Sequence, residues 1–262
     1  MKFLRKKKRR SQSKRARLFQ PAASKYIVLT LKTFISLLIF LLLIGCLTFF
    51  FKGSYFQLAA IDCQKNQAPC SQKEKDLFLY LRGRNIFRLN SNQEAAAIKT
   101  DYPEIEEVVI KKKLPNRLLI DLVEREEFAA LTTNGEIWLI VDSQGFVFRQ
   151  RLKKPSNLPE IFWAGDGLQV KIGQLVENQE LKAGLLILQE IKNSFVFSNQ
   201  LLIQPGEKIT LRLTEGATVY LTAEKEAAPQ VDSLQFILRQ SKIEGKLPSL
   251  IDLRFDKPVI KF

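Results

Sequence analysis

The chain has 262 residues, with 41 Lys and Arg against 27 Asp and Glu, three cysteines, one methionine and no histidine. Without histidine there is no Ser-His-Asp triad, no Cys-His pair, no His-ligated zinc and no imidazole base at neutral pH, so catalysis would fall to carboxylates or lysines. The charge excess is local: residues 1–25 hold eleven Lys or Arg and no acid, and the remainder is 30 basic against 27 acidic, so the excess describes a tail rather than a nucleic-acid-binding surface.

That tail, residues 1–25, is too charged and too poor in large apolar side chains to bury a core. It reads as a disordered segment that sets membrane orientation and rests on anionic headgroups, with nucleic-acid binding the lesser reading. Residues 33–51, TFISLLIFLLLIGCLTFFF, carry no charge. At about 1.5 Å per residue such a helix spans roughly 28 Å, the thickness of a bilayer's hydrocarbon core. The apolar stretch before it extends the span to 26–52, Lys32 can snorkel to the headgroups, and Tyr26 and Tyr55 read as interfacial anchors. Eleven basic residues precede the span and only Lys52 and Lys65 follow it closely, so the N-terminus is expected in the cytoplasm and the bulk of the chain outside. A cleaved signal peptide would have a shorter apolar core and a small-residue cleavage site. Leu43-Ile44-Gly45-Cys46 resembles a lipobox, but the apolar run continues to Phe51, where a lipoprotein would turn polar. A buried core helix would show a polar face, and this segment has none.

Cys63 and Cys70 fall beyond the span, in DCQKNQAPC. An oxidising compartment permits a local disulfide between them, stapling the end of a strand to the start of a helix. Two free thiols are the other reading, and a metal site is disfavoured because two cysteines lack the further ligands zinc requires.

Residues 56–62 (FQLAAID) read as a strand, and residues 71–82 as a helix opened by the capping box Ser71-Gln72-Lys73-Glu74. Leu77, Phe78 and Leu81 would share one face of that helix, and Gly83 would end it as a left-handed cap. Residues 85–90 (NIFRLN) read as extended, and 91–100 as a second helix stopped by Asp101-Tyr102-Pro103. Residues 105–113 and 117–124 read as strands joined by a turn at Leu114-Pro115-Asn116. The order strand, helix, helix, strand, strand makes a unit over about 55–125.

Beyond it, short strand patterns recur: FAALTT, EIWLIVD, FVFRQ, PEIFW, QLLIQ, KITLRL, TVYLTA, SLIDLRF and PVIKF, separated by Gly-containing turns. Two helices interrupt them, residues 178–192 and 229–240, the second packing Val231, Leu234, Ile237 and Leu238. A mainly antiparallel sheet with helices against one face is expected over 126–262, and the whole is α+β.

IFRLN, then YPEIEEVVIKKKLPNRLLIDLVERE, in that element order directly after an apolar span, resembles the POTRA domain of the FtsQ/DivIB family of bacterial cell-division proteins. The stretch VDSQGFVF (141–148) resembles that family's "VD..G.VF" hairpin, Leu158-Pro159-Glu160-Ile161 its following strand, and Ile251-Asp252-Leu253-Arg254-Phe255 its late "(V/I)DLR(Y/F)" strand. Glu127 departs from the family, which often has proline there. The resemblance implies a non-enzymatic scaffold of the division machinery that recruits FtsB/DivIC-like and FtsL-like partners, with no cofactor and no metal.

Catalysis finds little else to stand on. The carboxylates Glu106, Glu107, Glu124, Glu126, Glu127 and Asp142 offer an acid/base pair on paper, but strand neighbours point to opposite faces, and Asp142 before Gly145 reads as a turn former. Trp138 and Trp163 read as core, with sugar stacking as the alternative. A wall-binding or wall-modifying protein built on these carboxylates and Trp163 is the competing function, and a POTRA-bearing secretion component a third.

What remains is an edge. A sheet that ends at the C-terminal strands leaves unpaired backbone groups able to take a partner's strand, and Pro258 is tolerated at a strand start or edge. In the family this region pairs with the small coiled-coil partners, which assigns partner contact to Arg254, Phe255, Val259, Ile260 and Phe262. By alternation, half of Leu253, Phe255, Val259 and Ile260 should instead face the core.

Overall fold

Leu, Ile and Phe side chains project from helix α1 (Ala23–Lys52) on every side. The computed structural model describes residues 23–262 apart from Gly53, Gln169 and Glu207. The basic residues before Ala23, the lipid contact expected of them, and the ring of Tyr26 lie outside the described residues. Over Leu31–Phe50 the mean hydropathy is 2.6 and no side chain is buried. The helix is thus long and apolar enough to cross a bilayer, without the polar face of a core helix.

Four strands follow in a first sheet: β1 (Ala60–Lys65), β2 (Ala68–Pro69), β3 (Ile105–Lys113) and β4 (Arg117–Glu124), in the order β2-β1-β4-β3. β1 runs parallel to β4, so the chain between them must cross over, and it does so through α2 (Gln72–Asp76) and α3 (Ser91–Asp101). Alternate residues Leu118, Ile120 and Leu122 of β4 point into a core with Phe78, Leu81, Ile86 and Ile98. The β1–β2 turn has two residues with positive φ, Asn66 and Gln67, as a two-residue hairpin requires. Just beyond it, Cys63 and Cys70 are joined as a disulfide with Cα atoms 5.4 Å apart.

Local structure departs from the sequence expectation in three places here. The first strand begins at Ala60, not at residue 56, because Leu58 bonds to the turn at Gly83 and Arg84 instead of to β4. The expected helix 71–82 is α-helical only to Asp76 and then tightens into a 3-10 turn at Leu79–Leu81; that geometry brings Phe78 and Leu81, three residues apart, onto one core spot and leaves Leu77 exposed. Residues 86–88 form a turn, closed by Arg88 and Leu89 N–H groups on the Asn85 carbonyl, where extended chain was expected over 85–90; Asn85 keeps an isolated antiparallel bridge to Gln57, and Asn90 is extended. α3 starts at Ser91 as expected, capped by Asn90, whose side chain accepts from the N–H groups of Asn92 and Gln93. The Ser71–Glu74 capping box is present, and Lys65 and Ser71 hold the Glu74 carboxyl down at about 2.

The second sheet has nine strands: β5 (Ala129–Thr132), β6 (Trp138–Val141), β7 (Val147–Arg151), β8 (Glu160–Trp163), β9 (Ser198–Gln204), β10 (Lys208–Leu213), β11 (Thr218–Leu221), β12 (Leu250–Asp252) and β13 (Val259–Lys261). Their order is β13-β12-β11-β10-β9-β8-β5-β6-β7. The pairs β5–β8, β8–β9 and β11–β12 are parallel and the other five antiparallel. Helices α4 (Gln179–Lys192) and α5 (Ala227–Glu244) make two of the long connections and cover one face. α5 starts before Pro229 and runs past Gln240 to Gly245, whose φ of 71° makes it the left-handed cap; Pro229 sits in the first turn, where its missing N–H costs nothing. A smaller cluster, Ala130, Trp138, Ile140 and Phe148, fills the opposite face at the β5-β6-β7 end.

The two units meet at residues 124–127. The Arg125 guanidinium donates to Asp142 at 2.6 Å and to the Pro103 carbonyl at 3.1 Å, and lies 4.0 Å over the Phe146 ring. Glu127 accepts from Arg149 and Arg151.

Candidate functional site at the β13 edge

The nine-stranded sheet has two edges, and they differ. At β7, the Val147 N–H bonds to Gln174 and its carbonyl to Gly173, so the neighbouring loop covers the start of the strand, and Arg149 and Arg151 charge the rest. Cover and charge are how natural sheets blunt an edge. β13 is bonded to β12 on one side only, with no strand on the other among the described residues.

Register fixes what this edge displays. Ile260 sits opposite Ile251, and Ile251 pairs with Val219; both partners are in the core under the helices, so Ile260 and, by alternation, Phe262 lie on the helix side. Val259 sits opposite Asp252, which pairs with Tyr220, so these three share the open face. Exposures are 47% for Val259, 37% for Ile260, 66% for Phe262 and 57% for Phe255. Alternation did not bury half the set: Leu253 alone is in the core, because neither face of β13 is covered by another element.

Arg254 is differently placed. Its Nη2 and Nε donate to the two carboxylate oxygens of Asp252 at 2.7 and 3.0 Å, and its own backbone N–H donates to Oδ1 at 3.1 Å. Arg254 holds the largely buried Asp252 carboxyl below the usual aspartate range, and is itself held further up. The guanidinium lies 5.4 Å from the Tyr220 ring and 5.5 Å from Phe255, while Lys208 lies over Tyr220 at 4.5 Å. Arg254 therefore locks the turn between β12 and β13 and orients Phe255, rather than offering a free cation. Asp252, Tyr220 and Lys208 are the supporting residues that sequence reading missed; Asp252 was visible two residues before Arg254, whereas Tyr220 and Lys208 arrive only through strand pairing.

The competing catalytic set is not assembled as a cleft. Asp142 accepts from the N–H groups of Gln144 and Phe146 and pairs with Arg125, which is the turn-forming role. Glu124 and Glu127 are tied to Arg149, and Glu106 and Glu107 are exposed on β3. Trp163 is 4% exposed and Trp138 donates its indole N–H to Gly135, so both rings belong to the core and present no stacking face to a sugar.

An apolar helix long enough to cross a bilayer, a four-stranded unit with a helical crossover and a nine-stranded sheet with one open edge together define a POTRA-type protein. Residues 75–125 match the FtsQ-type POTRA domain, and residues 129–254 match the C-terminal region of cell division protein FtsQ/DivIB. The chain is 31% identical over 154 residues to cell division protein DivIB of Clostridium botulinum strain Hall, covering 58% of this chain and 59% of that one. Against DivIB of C. acetobutylicum it is 32% identical over 126 residues, 47% and 48% of the two chains. Against DivIB of C. botulinum strain Loch Maree it is 30% identical over 200 residues, 67% and 75%. The matches thus span from about half to three quarters of these relatives. The chain belongs to the FtsQ/DivIB family of cell-division proteins. The family match ends at Arg254, so Phe255 and all of β13 lie beyond it.

Proposed function

We propose that the chain is a non-enzymatic, single-span scaffold of the division machinery, with its N-terminus in the cytoplasm and residues 53–262 outside. Residues 55–125 and 126–262 act as its two extracytoplasmic domains, and the basic tail rests on anionic lipid of the cytoplasmic leaflet. Its extracytoplasmic part captures small coiled-coil division proteins of the FtsB/DivIC and FtsL kind by taking an extended segment of the partner onto β13. The observation that carries this reading is the open β13 edge, flanked by exposed Phe255, Val259, Ile260 and Phe262. Backbone groups would give affinity and the apolar side chains on both faces would give register, with Arg254 keeping the β12–β13 turn in shape.

The test is capture from membranes with the full chain and with an Ile260→Glu, Phe262→Glu variant, folding being checked by circular dichroism. Small single-span coiled-coil proteins should come down with the wild type and be lost from the folded variant. Equal capture by both would remove β13 from the interface, and retention of wall glycan without any such protein would remove the scaffold reading itself.

A further inference from the structure

We propose that the turn at residues 82–88 lies on the surface of the bilayer that α1 crosses, with Phe87 in the interfacial layer and Arg82 and Arg88 on anionic phospholipid headgroups. The inference rests on α1 being a membrane span. Phe50, in the last turn of the apolar stretch, stacks on Phe56 at 5.0 Å and meets Phe87 edge-on at 5.6 Å, and Phe56 and Phe87 are 5.0 Å apart. Asn85 in the same turn donates its side-chain N–H to the Phe50 carbonyl at 2.9 Å. The turn is therefore held against the last turn of the span, at the depth where hydrocarbon gives way to headgroups.

Its composition suits that depth. Tyr55, Leu79, Tyr80 and Phe87 are all exposed, and aromatic rings favour the membrane interface. Residues 79–93 contain Arg82, Arg84 and Arg88 and no acid. Arg84 is paired with Glu94 at 2.6 Å, whereas Arg82 and Arg88 are exposed and have no carboxylate partner among the described residues. A protein strand is a poorer occupant, because the backbone here is already bonded: Leu58 N–H to Arg84, Gly83 N–H to Leu58 and Ile86 N–H to Phe56. Anionic headgroups meet both the charge and the apolar rim, and the contact would fix how the POTRA unit stands on the membrane.

The test uses the full chain reconstituted in vesicles containing brominated phospholipid, with and without phosphatidylglycerol, and reads tryptophan quenching. The two native tryptophans are buried and supply a constant background. Three reporters are compared: Phe40→Trp in the span, Phe87→Trp in the turn, and Phe236→Trp, an exposed site on α5. The expected result is strong quenching at position 40 and at least about twofold more quenching at 87 than at 236, the excess being larger with phosphatidylglycerol. Adding Arg82→Glu and Arg88→Glu should abolish that lipid dependence. Quenching at 40 with none above the α5 level at 87 overturns the surface contact and leaves the span intact. No quenching at 40 removes the span and the contact with it, and an unchanged lipid dependence in the arginine variant overturns the headgroup assignment.

Discussion

Arg254 grips Asp252 through two parallel N–H···O contacts of 2.7 and 3.0 Å, across the turn that separates the last two strands. Asp252 is largely buried, and the pair holds the turn through which the chain passes from β12 to Phe255 and β13, the strand that backbone pairing then sets beside β12.

Removing the guanidinium should therefore be felt first in stability. Arg254→Ala leaves the Asp252 carboxylate buried without its main donor and should cost about 1–3 kcal/mol in urea unfolding at pH 7. The sign of the pH effect follows from the lowered carboxyl. The fold binds the Asp252 proton less tightly than the unfolded chain, so the pair's contribution is whole above the unfolded aspartate value of about 3.9 and is lost as pH falls through the lower folded value. The gap between wild type and variant should thus narrow on acidification below about pH 4; a gap that stays constant would mean the loss was packing and not charge.

The exposed edge residues should behave oppositely. Ile260→Lys removes an apolar side chain that no element covers, so the urea midpoint should move by no more than about 0.5 kcal/mol equivalent. What should change is self-association, since a charge on an open strand is how edges are kept from pairing with one another. Sedimentation of the detergent-solubilised chain at rising concentration checks this, and a variant that self-associates as the wild type does would show that β13 is not a sticky edge.

How far the sequence discloses this arrangement depends on whether an element is held locally. The β3–β4 hairpin was legible because Leu118, Ile120 and Leu122 alternate and a proline turn separates the strands. Residues 56–59 and 86–88 depart from the expected strands because Leu58 and Ile86 have apolar strand-like neighbours but bond to each other's loops, a distant pairing no local pattern encodes. At the site, the motif around Arg254 and the edge position of the last strand were visible. The exposure of both Val259 and Ile260 was not, since alternation presumes that one face is covered. Tyr220 and Lys208 come from other strands and leave no mark near Arg254.

The Cys63–Cys70 bond closes a short loop, seven residues in sequence separation, and both cysteines are buried. In the chain-entropy account a loop this short contributes about 2–3 kcal/mol. Reductant, or the Cys63→Ala, Cys70→Ala pair, should lower the unfolding midpoint of the POTRA unit by that much and leave the nine-stranded unit unaffected, as followed by hydrogen exchange. An oxidised and a reduced chain that unfold together would show that the bond adds nothing to this unit.

Arg125 and Asp142 are both nearly buried, at 11% and 9% side-chain exposure, and Arg125 also donates to the Pro103 carbonyl, so one side chain ties the end of β3's approach, the end of β4 and the β6–β7 turn. Arg125→Ala strands a buried carboxylate and should cost about 3–5 kcal/mol. Arg149, which pairs with Glu124 and Glu127 from a more exposed position, should cost about 1 kcal/mol or less on the same change. Combining Arg125→Met with Asp142→Asn should recover part of the loss. The asparagine keeps the oxygen that accepts from the N–H groups of Gln144 and Phe146 but has no charge to strand. If the double variant is no more stable than Arg125→Ala, the arginine acts through its packing on Phe146 and the Pro103 hydrogen bond, and the carboxylate is incidental to the clasp.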